Sequence, residues 1–444
     1  MEQEKSFFQT VCALAVPVAL QSMLQSSFSI IDQIMIGQLG SVSVAGVGFA
    51  GKFSSVFTVV VSAIGAVAGI MISQYLGQGN RGEVRRSFFR NLWFAGALAG
   101  LFTAVCLLFP RQIMGLYTKD PAAVCAAADY LAIVALTFFP IAGATMLSTL
   151  LRCVEKASLP LYASIAAALL NTGLNYALIF GRWGAPALGA VGAAIATVVS
   201  QLANFLVMLL LLLRQRGVLG GGERPDAPFN RRQYVRMLAP ILVCELMWSL
   251  GENVYAAIYG HLGTASGAAM TLINPIQGLM TGALCGLSQA AGVIVGKRLG
   301  NGERQAAYDA GGRLVWYGFA ASVCLSVVIV LTRGYYVQIY AVEPEVKALT
   351  EQVLLAYALV APFKVMNMIL GGGVLRSGGR TELLMVIDLI GTWCFGVPLG
   401  LMAAFWLGLS VPWVYFILSL EECVRFALSA VVFRRKTWMQ SLTA

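Results

Sequence analysis

The chain has 444 residues, 59% of them hydrophobic and only 11% charged, and its mean hydropathy of +0.79 excludes an ordinary water-soluble domain. Its net charge of +10 sits in the loops between apolar runs, with no basic stripe on a soluble fold or aromatic platform, so nucleic acid is not expected as a partner. Nine cysteines are scattered singly with no C-x-x-C pair, so neither a disulfide framework nor a zinc site is indicated, and they read as small core residues.

The N-terminal MEQEKSFFQT lacks the basic region and cleavage site of a signal peptide, so the first apolar run is expected to remain as a span. Uncharged stretches follow at Ser6–Ile31, Phe53–Asn80, Asn91–Pro110, Tyr130–Leu151, Ala157–Gly181 and Trp183–Leu213. Each is close to or longer than the roughly 20 residues a helix needs to cross the hydrocarbon core, and a helix satisfies its own backbone there. A polar, basic, Gly- and Pro-rich linker occupies 214–233, and six more spans are predicted near 234–259, 268–296, 314–332, 350–373, 383–405 and 409–433. Arg81, Arg85, Arg86 and Arg90 mark one loop, the cluster from Arg214 to Arg236 another, and Lys297, Arg298, Arg304 and Arg313 a third. These are alternate loops, which the positive-inside rule assigns to the cytoplasm, with both termini, of a multi-pass protein of the cell membrane.

Sliding the second half back by 223 positions exposes an internal repeat. Pro17 then meets Pro240, GQLG at Gly37–Gly40 meets GHLG at Gly260–Gly263, and Gly69 meets Gly292. LGQG at Leu76–Gly79 meets LGNG at Leu299–Gly302, Pro121 meets Pro344, and after a slip of one Leu151-Arg152 meets Leu375-Arg376. Turn and kink residues shared at one offset imply duplication. The expected fold is therefore an all-α polytopic membrane protein of twelve helices in two parallel-related six-helix bundles, an N-lobe over 1–213 and a C-lobe over 234–444.

An ionisable side chain inside a span costs roughly 2.5 to 3.5 kcal/mol on insertion scales, so each needs a partner or a task. Those present are Asp32, Glu245, Glu252, Lys364, Asp388, Glu421, Glu422 and Arg425. Gln25 lies two helical turns before Asp32 on the same face, and Asn171 and Asn175 share a face one turn apart. A carboxylate with three amides offers either oxygen ligands for a small cation or a desolvated pocket for a proton. Glu245 and Glu252 are likewise on one face of the seventh span, with Met247, Trp248, Tyr255 and Tyr259 nearby. Aromatic faces beside carboxylates attract organic cations and methionines adapt to varied shapes, although Trp and Tyr also serve as interfacial anchors. Asp388 either joins a coupling site or pairs with Lys364, and Glu421 with Arg425 has the spacing of a helix-surface ion pair.

The GQLG and LGQG signatures resemble those of the multidrug and toxic compound extrusion (MATE) family. So do IDQIMIGQLG in the first span, LLNTGLNYALIFG with PALGAVGAAIAT in the fifth and sixth, APILVCELMWSLGENVYAAIYGHLG in the seventh, and the LRSGG and VPLG stretches. The resemblance implies a V-shaped transporter of twelve helices, acting as a monomer without cofactor, that expels small organic compounds in exchange for inward Na⁺ or H⁺. It also implies that Asp32, Gln25, Asn171 and Thr197 belong to a cation site of the N-lobe, and that Glu245 is a functional carboxylate of the C-lobe. Two departures bear on this: some relatives carry an acid at Asn175, and some carry one just after the LR motif, where this chain has Arg380.

At the repeat offset, Gln25 maps onto Trp248 and Asp32 onto Tyr255, so the scaffold is kept while the chemistry diverges. The N-lobe is therefore expected to handle a proton, and Glu245 with the aromatics of span seven to contact the substrate or a second cation. A flippase for a lipid-linked saccharide is the alternative, although extra spans and a more basic cavity would be expected of it. An enzyme is not expected, because the single histidine, His261, lies in the GHLG turn and no catalytic motif accompanies it.

Overall fold

The structure, a computed structural model, describes residues 2–39, 41–117, 121–215, 231–340 and 343–440. Among the described residues all regular structure is helical. The first six long helices are α1 (Glu2–Gly37), α2 (Ser41–Gly77), α3 (Arg81–Leu108), α4 (Pro121–Cys153), α5 (Ser158–Phe180) and α6 (Ala190–Arg214). The next five are α7 (Arg231–His261), α8 (Thr264–Gly300), α9 (Arg304–Gln338), α10 (Pro344–Leu375) and α11 (Thr381–Trp406). The twelfth, α12, is interrupted at Leu420 and consists of Val411–Ser419 followed by Glu421–Arg434.

Eleven of these are long and apolar enough to cross a membrane, and α12 carries Glu421, Glu422 and Arg425 directly after its break. The expected spans are all present, but several helices overrun them. α2 begins at Ser41, well before Phe53, because Lys52 is accommodated within the helix. At about 1.5 Å per residue this 37-residue helix extends past the hydrocarbon core at one or both ends. Most of the expected linker, residues 216–230, lies outside the described residues.

The repeat has a backbone signature. Gly79 and Gly302, mates at the 223 offset, both adopt left-handed φ values, +72° and +80°, at the turn after α2 and after α8. Only glycine takes this conformation without steric cost, which is why both copies of the LGxG motif end on it. Pro17 and Pro240, also mates, both lie inside their helices.

By packing, the chain forms two compact units, one of Leu20–Ala227 and one of Met1–Ala19 with Pro228–Ala444. The start of α1 groups with the latter unit rather than with the rest of 1–213. Its Phe8 ring meets Tyr317 edge-on at 5.8 Å, the Arg298 guanidinium covers Phe7 at 5.3 Å, and the Ala15 carbonyl lies against Gly286 with no room for a Cβ. In the Leu20–Ala227 unit, the Phe57 ring packs at a tilt against Phe138, with centroids 4.3 Å apart, and against Phe102, with centroids 5.4 Å apart. Helix contacts use small residues, as expected where apolar burial gives little drive: a Cβ on Gly192 would stand 2.5 Å from the Leu178 carbonyl oxygen. Likewise, a Cβ on Gly373 would stand 2.5 Å from the Ser288 carbonyl oxygen in the other unit.

Helix distortion is concentrated in the second unit. Met368–Leu375 of α10, and Ile390–Gly396 and Met402–Trp406 of α11, are wound as π-helix. Such windings are rare and favour functional sites, because each extra residue displaces side chains around the axis. Two of these stretches follow Lys364 and Asp388, ionisable residues deep in the apolar parts of α10 and α11.

Candidate coupling site and polar cavities

Asp32 lies near the end of α1, partly buried, facing α5 in the Leu20–Ala227 unit. The buried Asn175 donates from Nδ2 to Asp32 Oδ1 at 2.6 Å. Asn171, one turn earlier, is best satisfied with its amide nitrogen toward Asp32, at 2.9 Å from Oδ1 and 3.1 Å from Oδ2, and its oxygen accepting from Ser200 Oγ at 3.2 Å. Two amides from one helix face therefore converge on one carboxylate, as the i, i+4 spacing predicts.

Thr197 is one turn before Ser200 on α6, but its hydroxyl donates to the Ala193 carbonyl at 2.9 Å and bonds the buried Tyr130. Gln25 is exposed and makes no hydrogen bond to the cluster among the described residues. Spacing on α1 placed it on the Asp32 face, yet a shared face does not ensure contact two turns away. Ser200 and Tyr130 were missed, since nothing in the sequence distinguishes one hydroxyl of α4 or α6 from another.

The second unit holds a larger polar network around two cavities. One, of about 380 Å³, is lined by Trp248, Glu252, Tyr255, Lys364, Glu421 and Glu422 among others. The other, of about 350 Å³, is lined by Glu245, Trp248, Lys364, Arg376, Asp388 and Arg425 among others. Lys364, Glu422, Trp248, Tyr357 and Ala361 border both. Four of the five expected substrate residues thus face a cavity, whereas the half-buried Met247 lines neither.

The charge partners differ from those the spacing suggested. Arg425 donates through Nε to Asp388 Oδ1 at 3.0 Å, with Nη2 on the same oxygen, and lies 3.7 Å from Glu422 one turn earlier. Asp388 also accepts from Cys244 Sγ at 2.7 Å. Glu421 accepts instead from the Tyr255 hydroxyl at 2.6 Å, Asn367 donates to Glu422 at 2.8 Å, and Lys364 interacts with Glu422 and Glu252. Helical spacing alone paired Glu421 with Arg425, and tertiary packing overrides it. Glu245 faces Arg376 at 3.6 Å.

This geometry, a lone carboxylate among amides in one six-helix unit and a cavity of charges and aromatics in the other, can be compared with known proteins. The MatE family model matches residues 17–177 and 240–402, one match in each half and together most of the chain. The chain belongs to the MatE family. Similar MatE relatives include the probable multidrug resistance protein NorM of Bradyrhizobium diazoefficiens, 28% identical over 96% of this chain and 93% of that protein. Its namesake from Agrobacterium fabrum is 25% identical over 95% of this chain and 94% of its own. Among solved structures, the Vibrio cholerae MATE transporter VcmN shares the fold with a TM-score of 0.89, 16% identity and coverage of 99% of this chain and 100% of that one. The fold expected for a MatE chain, an all-helical multi-pass membrane protein, is the one observed.

Proposed function

We propose that this protein is a secondary antiporter of the cell membrane that exports small organic compounds, acting as a monomer with both termini in the cytoplasm. Proton entry at Asp32 drives it, and its two six-helix units alternate access. The names of its NorM relatives support multidrug efflux.

The observation that carries the coupling assignment is the convergence of Asn175 and Asn171 on Asp32. Asn175 turns its nitrogen toward the carboxylate, and Asn171 does the same in the amide orientation assigned to it from its hydrogen-bond partners. A bound Na⁺ needs oxygens converging on one point, whereas here N–H donors occupy the lone pairs of the carboxylate. An amide also suits a group that gains and loses a proton, because rotating it by half a turn exchanges a donor for an acceptor. Asn175 Oδ1 is buried without a hydrogen-bond partner, so it is available to accept from a protonated Asp32 once that amide rotates. The carboxylate and the acid are then both satisfied by the same residues.

Substrate binds in the second unit along α7. Trp248 and Tyr255 supply aromatic surface, Glu252 and Glu245 supply negative charge, and Tyr259 borders the same cavity. This combination attracts amphipathic molecules that carry positive charge. Na⁺ coupling is the competing reading, and reconstitution of the purified protein into liposomes with independently imposed pH and Na⁺ gradients separates the two. Efflux of a fluorescent organic cation driven by the pH gradient alone supports the proposal; efflux driven only by Na⁺ overturns it.

A further inference from the structure

The charges of the second unit do not balance. Around the two cavities, Glu252, Asp388, Glu421 and Glu422 face only two cations, Lys364 and Arg425, once the pair of Glu245 with Arg376 is set aside. Both cations are committed elsewhere, Arg425 to Asp388 and Glu422, and Lys364 to Glu422 and Glu252. Glu421 is only 6% exposed, and among the described residues no cation lies within ion-pair distance of it. Its hydrogen-bond partner is the hydroxyl of Tyr255, itself 7% exposed. A buried carboxylate with a neutral partner is costly while ionised, and it is relieved by a cation or a proton.

The surroundings are built to hold this pair. Gly396 closes the π-wound stretch of α11, and a Cβ there would collide with both the Tyr255 hydroxyl and the Glu421 carboxylate. Gly391, in the same stretch, makes the corresponding room for Arg425. The break in α12 at Leu420 immediately precedes Glu421. The π-wound stretch of α11 with its closing Gly396, and the break in α12, therefore meet at one carboxyl group, and the cavity of about 380 Å³ that it borders provides a route for exchange.

We infer that Glu421, hydrogen-bonded by Tyr255, is a proton-binding site of the second unit, separate from Asp32. The ligand is a single proton, taken from water in the cavity onto a carboxylate oxygen and returned to it, with no other bond made or broken. The groups facing Glu421 are Tyr255, Tyr259 and Glu252 from α7, Lys364 from α10, and Glu422, Arg425 and Tyr415 from α12; Asp388 of α11 acts through Arg425. Protonation of Glu421 brings this cluster closer to neutrality, and ionisation leaves a negative charge in the cavity assigned to the substrate. The site does not depend on the coupling role of Asp32.

The test is infrared difference spectroscopy of the purified full-length protein, cycled between mildly acidic and mildly alkaline buffer, with no substrate present. Wild type is expected to show carboxylic-acid bands from buried groups that ionise over this range. Glu421→Gln loses one of them, Asp32→Asn retains that band, and Tyr255→Phe shifts it because the carbonyl loses its hydrogen-bond donor. Thermal melting of each variant checks that it is folded, and the conservative Tyr255→Phe serves if Glu421→Gln is not. A band pattern unchanged by both Glu421→Gln and Tyr255→Phe overturns the inference, as does a pattern abolished entirely by Asp32→Asn.

Discussion

Arg152 and Arg376, mates in the internal repeat, each reach back to the same turn of the first helix of their own repeat. Arg152 donates to Gln21 Oε1 at 3.1 Å, and Arg376 lies 3.6 Å from Glu245 Oε1. At the offset of 223, Gln21 corresponds to Cys244, the neighbour of Glu245. Duplication preserved an arginine strut in both halves, while its acceptor changed from a neutral amide to a carboxylate one residue along.

The strut predicts unequal consequences of removing it. Arg376→Gln leaves Glu245 without its cation, whereas Arg152→Gln deprives the neutral Gln21 amide of a donor. Because both Arg376 and Glu245 are partly exposed, the pair is worth about 1 kcal/mol. The expected outcome is reduced thermal stability for Arg376→Gln, recovered in part by adding Glu245→Gln. A double-mutant cycle measures this coupling directly.

At Asp32, the amide pair sets the ion preference. Asn175→Asp would place two carboxylates at the 2.6 Å separation now spanned by a hydrogen bond. They cannot both be ionised at that distance without a cation or a shared proton between them. The substituted protein is therefore expected to gain Na⁺ dependence, read as stimulation of efflux by NaCl over an equal concentration of choline chloride.

Ser200→Ala tests the outer support of the same site. Loss of the hydroxyl removes the donor to the Asn171 oxygen and the reason for that amide to present its nitrogen to Asp32. A lost hydrogen bond of this kind costs about 1 kcal/mol, so efflux should be weakened while expression stays normal, and Ser200→Thr should restore it.

Gly396→Ala probes the second unit. The added methyl group meets Tyr255 and Glu421 in a helical segment that cannot yield without moving α11. Overpacking of this kind costs typically about 1–3 kcal/mol. A lower melting temperature and loss of substrate binding are expected, while Gly372→Ala, whose Cβ would stand 3.3 Å from the tip of Ser288, should be much milder.

The helices and the duplication were legible because a bilayer leaves few choices: long uncharged runs must be helical, and glycine and proline at one offset record the repeat. Asp32 with Asn171 and Asn175 was legible too, as an isolated acid and a one-turn amide pair. Gln25 makes no hydrogen bond to that cluster among the described residues, since helical phase fixes direction but not reach. The network of α12 was hidden, because Glu421, Glu422 and Arg425 are so close in sequence that they invite pairing with one another. Their partners Tyr255, Asn367 and Asp388 come from α7, α10 and α11, where a helix break and π-wound turns redirect the side chains.

The central claim, that Asp32 carries the driving proton, is tested most directly by efflux from proteoliposomes under a pH gradient in Na⁺-free buffer, comparing wild type with Asp32→Asn. The account predicts robust efflux by wild type, and efflux at background for Asp32→Asn at an equal amount of folded protein. Wild type inert until Na⁺ is added, or Asp32→Asn transporting at the wild-type rate, would contradict it.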